Sequence, residues 1–114
     1  MLVTDATGIM LDGNAAMLAL AGRSHGDLLR QPIDSLLPPA GRIFLQTHLW
    51  PTVLREGSVN EAYLQVRGAD GINIPVMVNC RRGRFDGAEA FYWVLFVARE
   101  RSRFEAAEIG RAHV

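Results

Sequence analysis

From Asn60 onward the spacing of apolar residues changes from about 3.6 to 2, which commits the second half of the chain to strands. Asn60–Arg67 sets Ala62, Leu64 and Val66 against Tyr63, Gln65 and Arg67. Ile72–Arg81 sets Ile72, Ile74, Val76, Val78 and Cys80 against Asn73, Met77 and Asn79. Asp70-Gly71 and Asp86-Gly87 supply the positive-φ turns that antiparallel neighbours need. The third run, Glu89–Ala98, is apolar on both faces: Phe91, Trp93, Leu95 and Val97 on one, Tyr92, Val94, Phe96 and Ala98 on the other. Such a strand belongs at the centre of a sheet with its outer face covered.

The first half carries different signals. Leu2–Thr4 and Ile9–Leu11 are β-prone pieces around the turn Asp5-Ala6-Thr7-Gly8. Asp12-Gly13 predicts a tight turn, Asn14 a helix cap, and Gly22 the left-handed residue that stops the helix. Asp27–Leu37 reads as short helical turns broken by Pro32 and closed by Pro38-Pro39. Ala40–Arg55 places Ile43, Phe44, Thr47, Trp50, Val53 and Leu54 on one buried stripe, and Pro51 predicts a kink or break near Leu49.

In this order the segments resemble a PAS sensor domain. The resemblance is carried by the Asn14-to-Gly22 helix, by Leu28-Leu29-x-x-Pro32-Ile33-x-x-Leu36-Leu37-Pro38, by the strand pair around Arg67-Gly68-Ala69-Asp70-Gly71, and by the strand leading into Glu100-Arg101-Ser102-Arg103-Phe104-Glu105. Arg42–Leu49 and Ile74–Asn79 are similar to bacterial sensors fused to diguanylate cyclases, serine phosphatases or histidine kinases. The resemblance implies an α+β fold, a five-stranded antiparallel sheet with short helices packed on one face, and a non-catalytic input module. It departs from the family at the exit of the last strand. There an Asp-x-Thr pair usually couples sheet to helix, and this chain has Val97 and Arg99.

Composition narrows the function. The 114 residues, about half apolar, suffice for one modest core. All twelve basic residues are arginine, which with the abundant Ala and Gly suggests a GC-rich, bacterial genome. The formal charge of zero offers no field for nucleic acid or an anionic membrane, and no apolar run is long enough to span one. No signal peptide is visible, so the cytoplasm is the expected compartment. The last six residues, Ile109 to Val114, match the translation of a common sequencing adapter (ATC GGA AGA GCA CAC GTC). The reading is therefore a sensor domain over 1–98, the start of an exit helix over 99–108, an adapter-derived tail over 109–114, and an effector domain further on. Without that tail the charge is 11 minus 12, or −1.

Few residues suggest chemistry. His48 lies where oxygen-sensing PAS domains carry the axial haem ligand, and a neutral imidazole can bind iron. A lone histidine without polar support reads instead as packed on the core and bonded to backbone. Cys80 is similar only in kind to the flavin-reactive cysteine of light-sensing relatives, being on a late strand, and reads as a small buried residue. Arg81-Arg82-Gly83-Arg84 is placed in a strand-to-strand loop and reads as a solvated hairpin. Asp5, Asp12, Asp27, Asp34, Asp70 and Asp86 read as turn and cap residues. No cofactor and no metal are expected. The expected ligand is small and apolar, held by Phe44, Thr47, His48 and Trp50 of the kinked helix against Leu64, Val66, Ile74, Val76 and Val78 of the sheet. A homodimer is expected to cover the outer face of the last strand. The rival readings are a degenerate PAS domain used only for dimerisation, and a small cone-shaped α+β enzyme whose proton acceptor would be Glu61 or Glu89.

Overall fold

The period-2 segments form one antiparallel sheet, and the helical segments lie against one of its faces. The computed structural model describes residues 1–98; the exit segment 99–108, Arg99 of the coupling pair and the tail 109–114 lie outside them. The strands are β1 (Leu2–Thr4), β2 (Met10–Gly13), β3 (Ser58–Arg67), β4 (Asn73–Phe85) and β5 (Ala88–Val97), in the order β2-β1-β5-β4-β3. The last strand is central, as its two apolar faces require. Trp93 and Phe91 point inward and are buried, while Val94 and Phe96 stand on the outer face, 37% and 55% exposed. Among the described residues no helix is long and apolar enough to cross a membrane.

Several boundaries differ from the sequence reading. Gly13 ends β2 and makes no turn. Ile72 precedes β4 and is 61% exposed. Arg81-Arg82-Gly83-Arg84 is not a loop: it continues β4, with Arg81 opposite Tyr92 and Arg84 opposite Glu89. The hairpin turns two residues later, at Asp86 (φ 51°) and Gly87 (φ 79°), a pair of positive-φ residues suited to a two-residue turn.

Helix α1 (Ala15–Ala21) starts where Asn14 accepts from the Met17 N–H at 3.0 Å and stops at Gly22, φ 67°. Helix α2 (His25–Leu28) and a 3-10 turn (Ile33–Leu36) follow. Pro39 then opens α3 (Pro39–Phe44) at a first-turn position where its missing N–H costs nothing. The helix is not one regular rod near Leu49, where a kink or break is expected. A π turn (Leu45–Leu49) joins α3 to α4 (Trp50–Glu56), with the Trp50 N–H on the Leu45 carbonyl.

That turn resets the buried stripe. Gly41, Leu45, Leu49 and Val53 face the core, every fourth residue. In a straight α-helix each such step overshoots a full turn by about 40°, and the wider π turn takes up the drift. Ile43 and Leu54, assigned to the stripe from 3.6-residue spacing, lie off it and are 63% and 46% exposed.

Candidate functional site

Between the helices and the sheet the side chains of Leu2, Ile33, Leu36, Leu37, Leu45, Leu64, Val66, Val78, Trp93 and Leu95 enclose a cavity of about 20 Å³. That volume holds about one water and is far below the ~300–1,000 Å³ of ordinary small-molecule sites. Its lining is entirely apolar. Beside it the edge-to-face stacks of Trp50 on Phe91 (5.1 Å) and on Trp93 (5.2 Å) fasten the start of α4 to the central strand.

Of the nine residues proposed from sequence as ligand contacts, three line this cavity: Leu64, Val66 and Val78. Val76 is buried, and Ile74 packs half-buried against the core. Phe44 and Trp50 do not line it and pack half-buried against the core, Trp50 in the aromatic stack. Thr47 and His48 are exposed, turned away from the interior by the π turn. The Thr47 hydroxyl donates to the Ile43 carbonyl at 2.7 Å, which leaves its oxygen to accept from His48 Nδ1 at 2.8 Å. His48 stacks on Phe44 at 5.2 Å. It is thus neither core-packed nor bonded to backbone, and these residues do not fit a haem: the imidazole faces away from a cavity that is too small for one. Leu45, Leu36 and Leu37 were missed, because the stripe was counted at α-helical spacing and the 3-10 segment carries no periodic signal.

The reactive groups sit apart. Cys80 is buried on β4, and burial pushes its thiol up to about 12, so it is neither nucleophilic nor placed for a flavin. Glu61 is exposed on a β-bulge, φ 55°, with its N–H on Asn79 Oδ1. Glu89 is exposed beside Arg82. Neither carboxylate faces the interior, where an acid-base enzyme would need one. Arg82 reaches the Leu54 carbonyl at 2.7 Å and stands 5.8 Å over the Phe91 ring, which ties the end of α4 to the sheet. Among the described residues no group of His, Cys, Asp or Glu gathers as metal ligands.

Two surface depressions adjoin these elements. A groove of about 210 Å³ runs between α3 and β3, lined by Pro38, Ala40, Gly41, Phe44, Tyr63, Leu64 and Gln65. Another of about 380 Å³ crosses the outer sheet face over Asn79, Arg81, Tyr92, Val94 and Phe96.

No protein-family model matches the chain. It is 24% identical over 98 residues to the phosphoserine phosphatase RsbP of Bacillus subtilis (strain 168), a match covering 86% of this chain and 24% of that protein's length. It spans only about a quarter of that relative. Among solved structures, the PAS domain of a protein from Colwellia psychrerythraea is similar with a TM-score of 0.73 at 19% identity, covering 84% of this chain and 82% of that one. The PAS domain of the Cronobacter turicensis RpfR quorum-sensing receptor, in complex with BDSF, gives a TM-score of 0.64 at 11% identity, covering 81% and 86%.

Proposed function

We propose, from the premise that this chain has the PAS fold, that it is a non-catalytic regulatory module of a larger bacterial signalling protein, acting in the cytoplasm. In this reading its interior holds a small apolar ligand, and the occupied state is passed through β5 into the segment that follows. The observation that supports it is the wholly apolar lining of the space between the helices and the central strands, which takes a ligand only if its walls part, since the space itself holds about one water. A charged ligand would lose its hydration there and gain no partner. The likeness to RsbP supports a serine phosphatase as the effector ahead of a diguanylate cyclase or a histidine kinase.

Incubating the purified protein with a cell extract, then identifying retained molecules by mass spectrometry, tests this. The expected result is an uncharged or weakly polar apolar molecule that raises the melting temperature. Retention of nothing, with no change in melting temperature, overturns the ligand reading.

A specific observation favours a second reading. The cavity of about 20 Å³ is nearly filled by its own walls, and Val94 and Phe96 are exposed on the outer face of the central strand. A second copy packed on that face would cover them, giving a homodimer with or without an interior ligand.

A further inference from the structure

On the outer face of the sheet, away from the helices, Asn79 and Arg81 of β4 stand opposite Val94 and Tyr92 of β5. Tyr92 and Phe96 are four residues apart on that face, about 14 Å along the strand, with only the short side chain of Val94 between them. The Tyr92 ring leans toward the hairpin tip. It lies over Gly83, where a Cβ would stand 3.1 Å from Tyr92 Cε1, and its hydroxyl donates to the Arg84 carbonyl at 2.6 Å. The depression of about 380 Å³ is the space this leaves, rimmed on the β3 side by Asn60 of the bulge. Its polar groups are mainly donors. Asn79 Oδ1 accepts from the Glu61 N–H at 2.6 Å, which leaves the Asn79 NH2 to donate elsewhere. Arg82 and Arg84 commit guanidinium N–H groups to the Leu54 and Gly87 carbonyls, whereas among the described residues Arg81 makes no ion pair and no side-chain hydrogen bond. Among those residues no Asp or Glu lines the depression; Glu61 lines a neighbouring one with Met77 and Phe96.

We infer that this depression is a second ligand site, on the face away from the apolar interior, and that its ligand is a flat aromatic carboxylate. The ring rests on Val94 against Phe96, and the carboxylate accepts from the Arg81 guanidinium and the Asn79 amide, charge-assisted bonds that a neutral ligand lacks. The volume falls within the ~300–1,000 Å³ of small-molecule sites, which the interior space of about 20 Å³ does not reach. One uncommitted cation matches one negative charge, and the apolar floor of Val94 and Phe96 matches an unsubstituted ring face. A ligand seated there and a second copy packed on Val94 and Phe96 exclude each other.

Titrating the whole chain with 2-naphthoate, read by amide chemical shifts and calorimetry and with 2-naphthamide as the neutral control, tests the site. The acid should move the amides of Asn79, Arg81, Tyr92 and Val94 and leave those of Leu36, Leu45 and Val66, around the interior, in place. Arg81→Gln should weaken naphthoate binding about tenfold, to the level of the neutral amide. Val94→Trp, which fills the floor from an exposed strand position, should abolish binding of both probes. Equal affinity of wild type and Arg81→Gln for naphthoate overturns the site. Shifts confined to the interior residues overturn it as well, while leaving the interior-ligand reading standing. Binding of neither probe also overturns it; if the protein then sediments as a dimer, the face belongs to a second copy.

Discussion

The indole N–H of Trp93 donates to the hydroxyl of Thr4 at 2.9 Å, across the β5–β1 pair and 89 residues apart in the chain. Thr4 is the one buried polar side chain among the described residues, and Trp93 is 1% exposed. Replacing Thr4 by Val keeps the shape but leaves the indole N–H buried without an acceptor, at a cost of about 1–3 kcal/mol. Thr4→Ser keeps the bond. Urea unfolding should therefore rank wild type above Thr4→Ser and Thr4→Ser above Thr4→Val, with the Thr4→Val cost shrinking in a Trp93→Phe background. Equal costs for Ser and Val would show that the bond is not what Thr4 provides.

At the end of α1, Gly22 has φ 67°, and a Cβ there would lie 2.3 Å from the Ala69 Cβ and 2.6 Å from its Cα. Strain and overlap add, so Gly22→Ala should cost about 1–3 kcal/mol or more. Removing the cap at the other end by Asn14→Ala should cost about 1 kcal/mol. Thermal melts of the two variants check the ranking.

With its thiol pushed up to about 12 by burial, Cys80 is protonated and shielded at neutral pH. Iodoacetamide should leave the native protein unmodified and alkylate it fully in denaturant, as mass spectrometry will report. Rapid native labelling would show that β4 opens.

Acid should destabilise the protein through two carboxylates. Burial pushes the Asp5 carboxyl up, but hydrogen bonds from the Thr7 hydroxyl and from the Ile9, Thr7 and Gly8 N–H groups more than offset this and hold it below its ordinary 3.8. Asp12 is held low by its hydrogen bond with His25, 2.9 Å away, and by the Gly13 N–H. A carboxyl depressed by folding stabilises above its unfolded pKa, and that contribution is lost as pH falls through the folded value. The melting temperature should thus fall between about pH 5 and pH 2. Asp5→Asn should lower it at pH 7 and flatten the acid limb; an unchanged limb would remove Asp5 from the account.

If a second copy covers the outer sheet face, Phe96→Ser should shift sedimentation toward the monomer while the melting temperature of the dilute protein changes little. Phe96 is 55% exposed, so its loss opens no core cavity. A wild-type protein that sediments as a strict monomer at high concentration would refute the homodimer.

The sheet was legible because its alternation is local. Leu64, Val66, Val76 and Val78 face inward as their period-2 spacing requires, and Asp86-Gly87 marks its own turn. The helix over the site was not. One extra residue within Leu45–Leu49 moves every later position, so Thr47 and His48 turn outward and Leu45 and Leu49 inward, and no residue type announces a π turn. Pro51 signalled a disturbance near Leu49 but not that it would be a π turn. Arg81–Arg84 was misread because charge was taken for a loop, when a long hairpin simply carries its ladder past the edge of the core. The cavity itself depends on how ten side chains from distant segments fail to fill a space, and nothing in linear order encodes that shortfall.

Placing the last strand between β1 and β4 has a consequence for biosynthesis. The three residues of β1 bond on one side to β2 and on the other only to β5, so the N-terminal hairpin has no sheet to join until Val97 has left the ribosome. The chain emerges with Leu2, Met10 and the inner face of β3 and β4 uncovered. Its core closes in one late step, when β5 enters with Phe91 and Trp93. A ribosome stalled before that strand would leave β1 without one of its two neighbours.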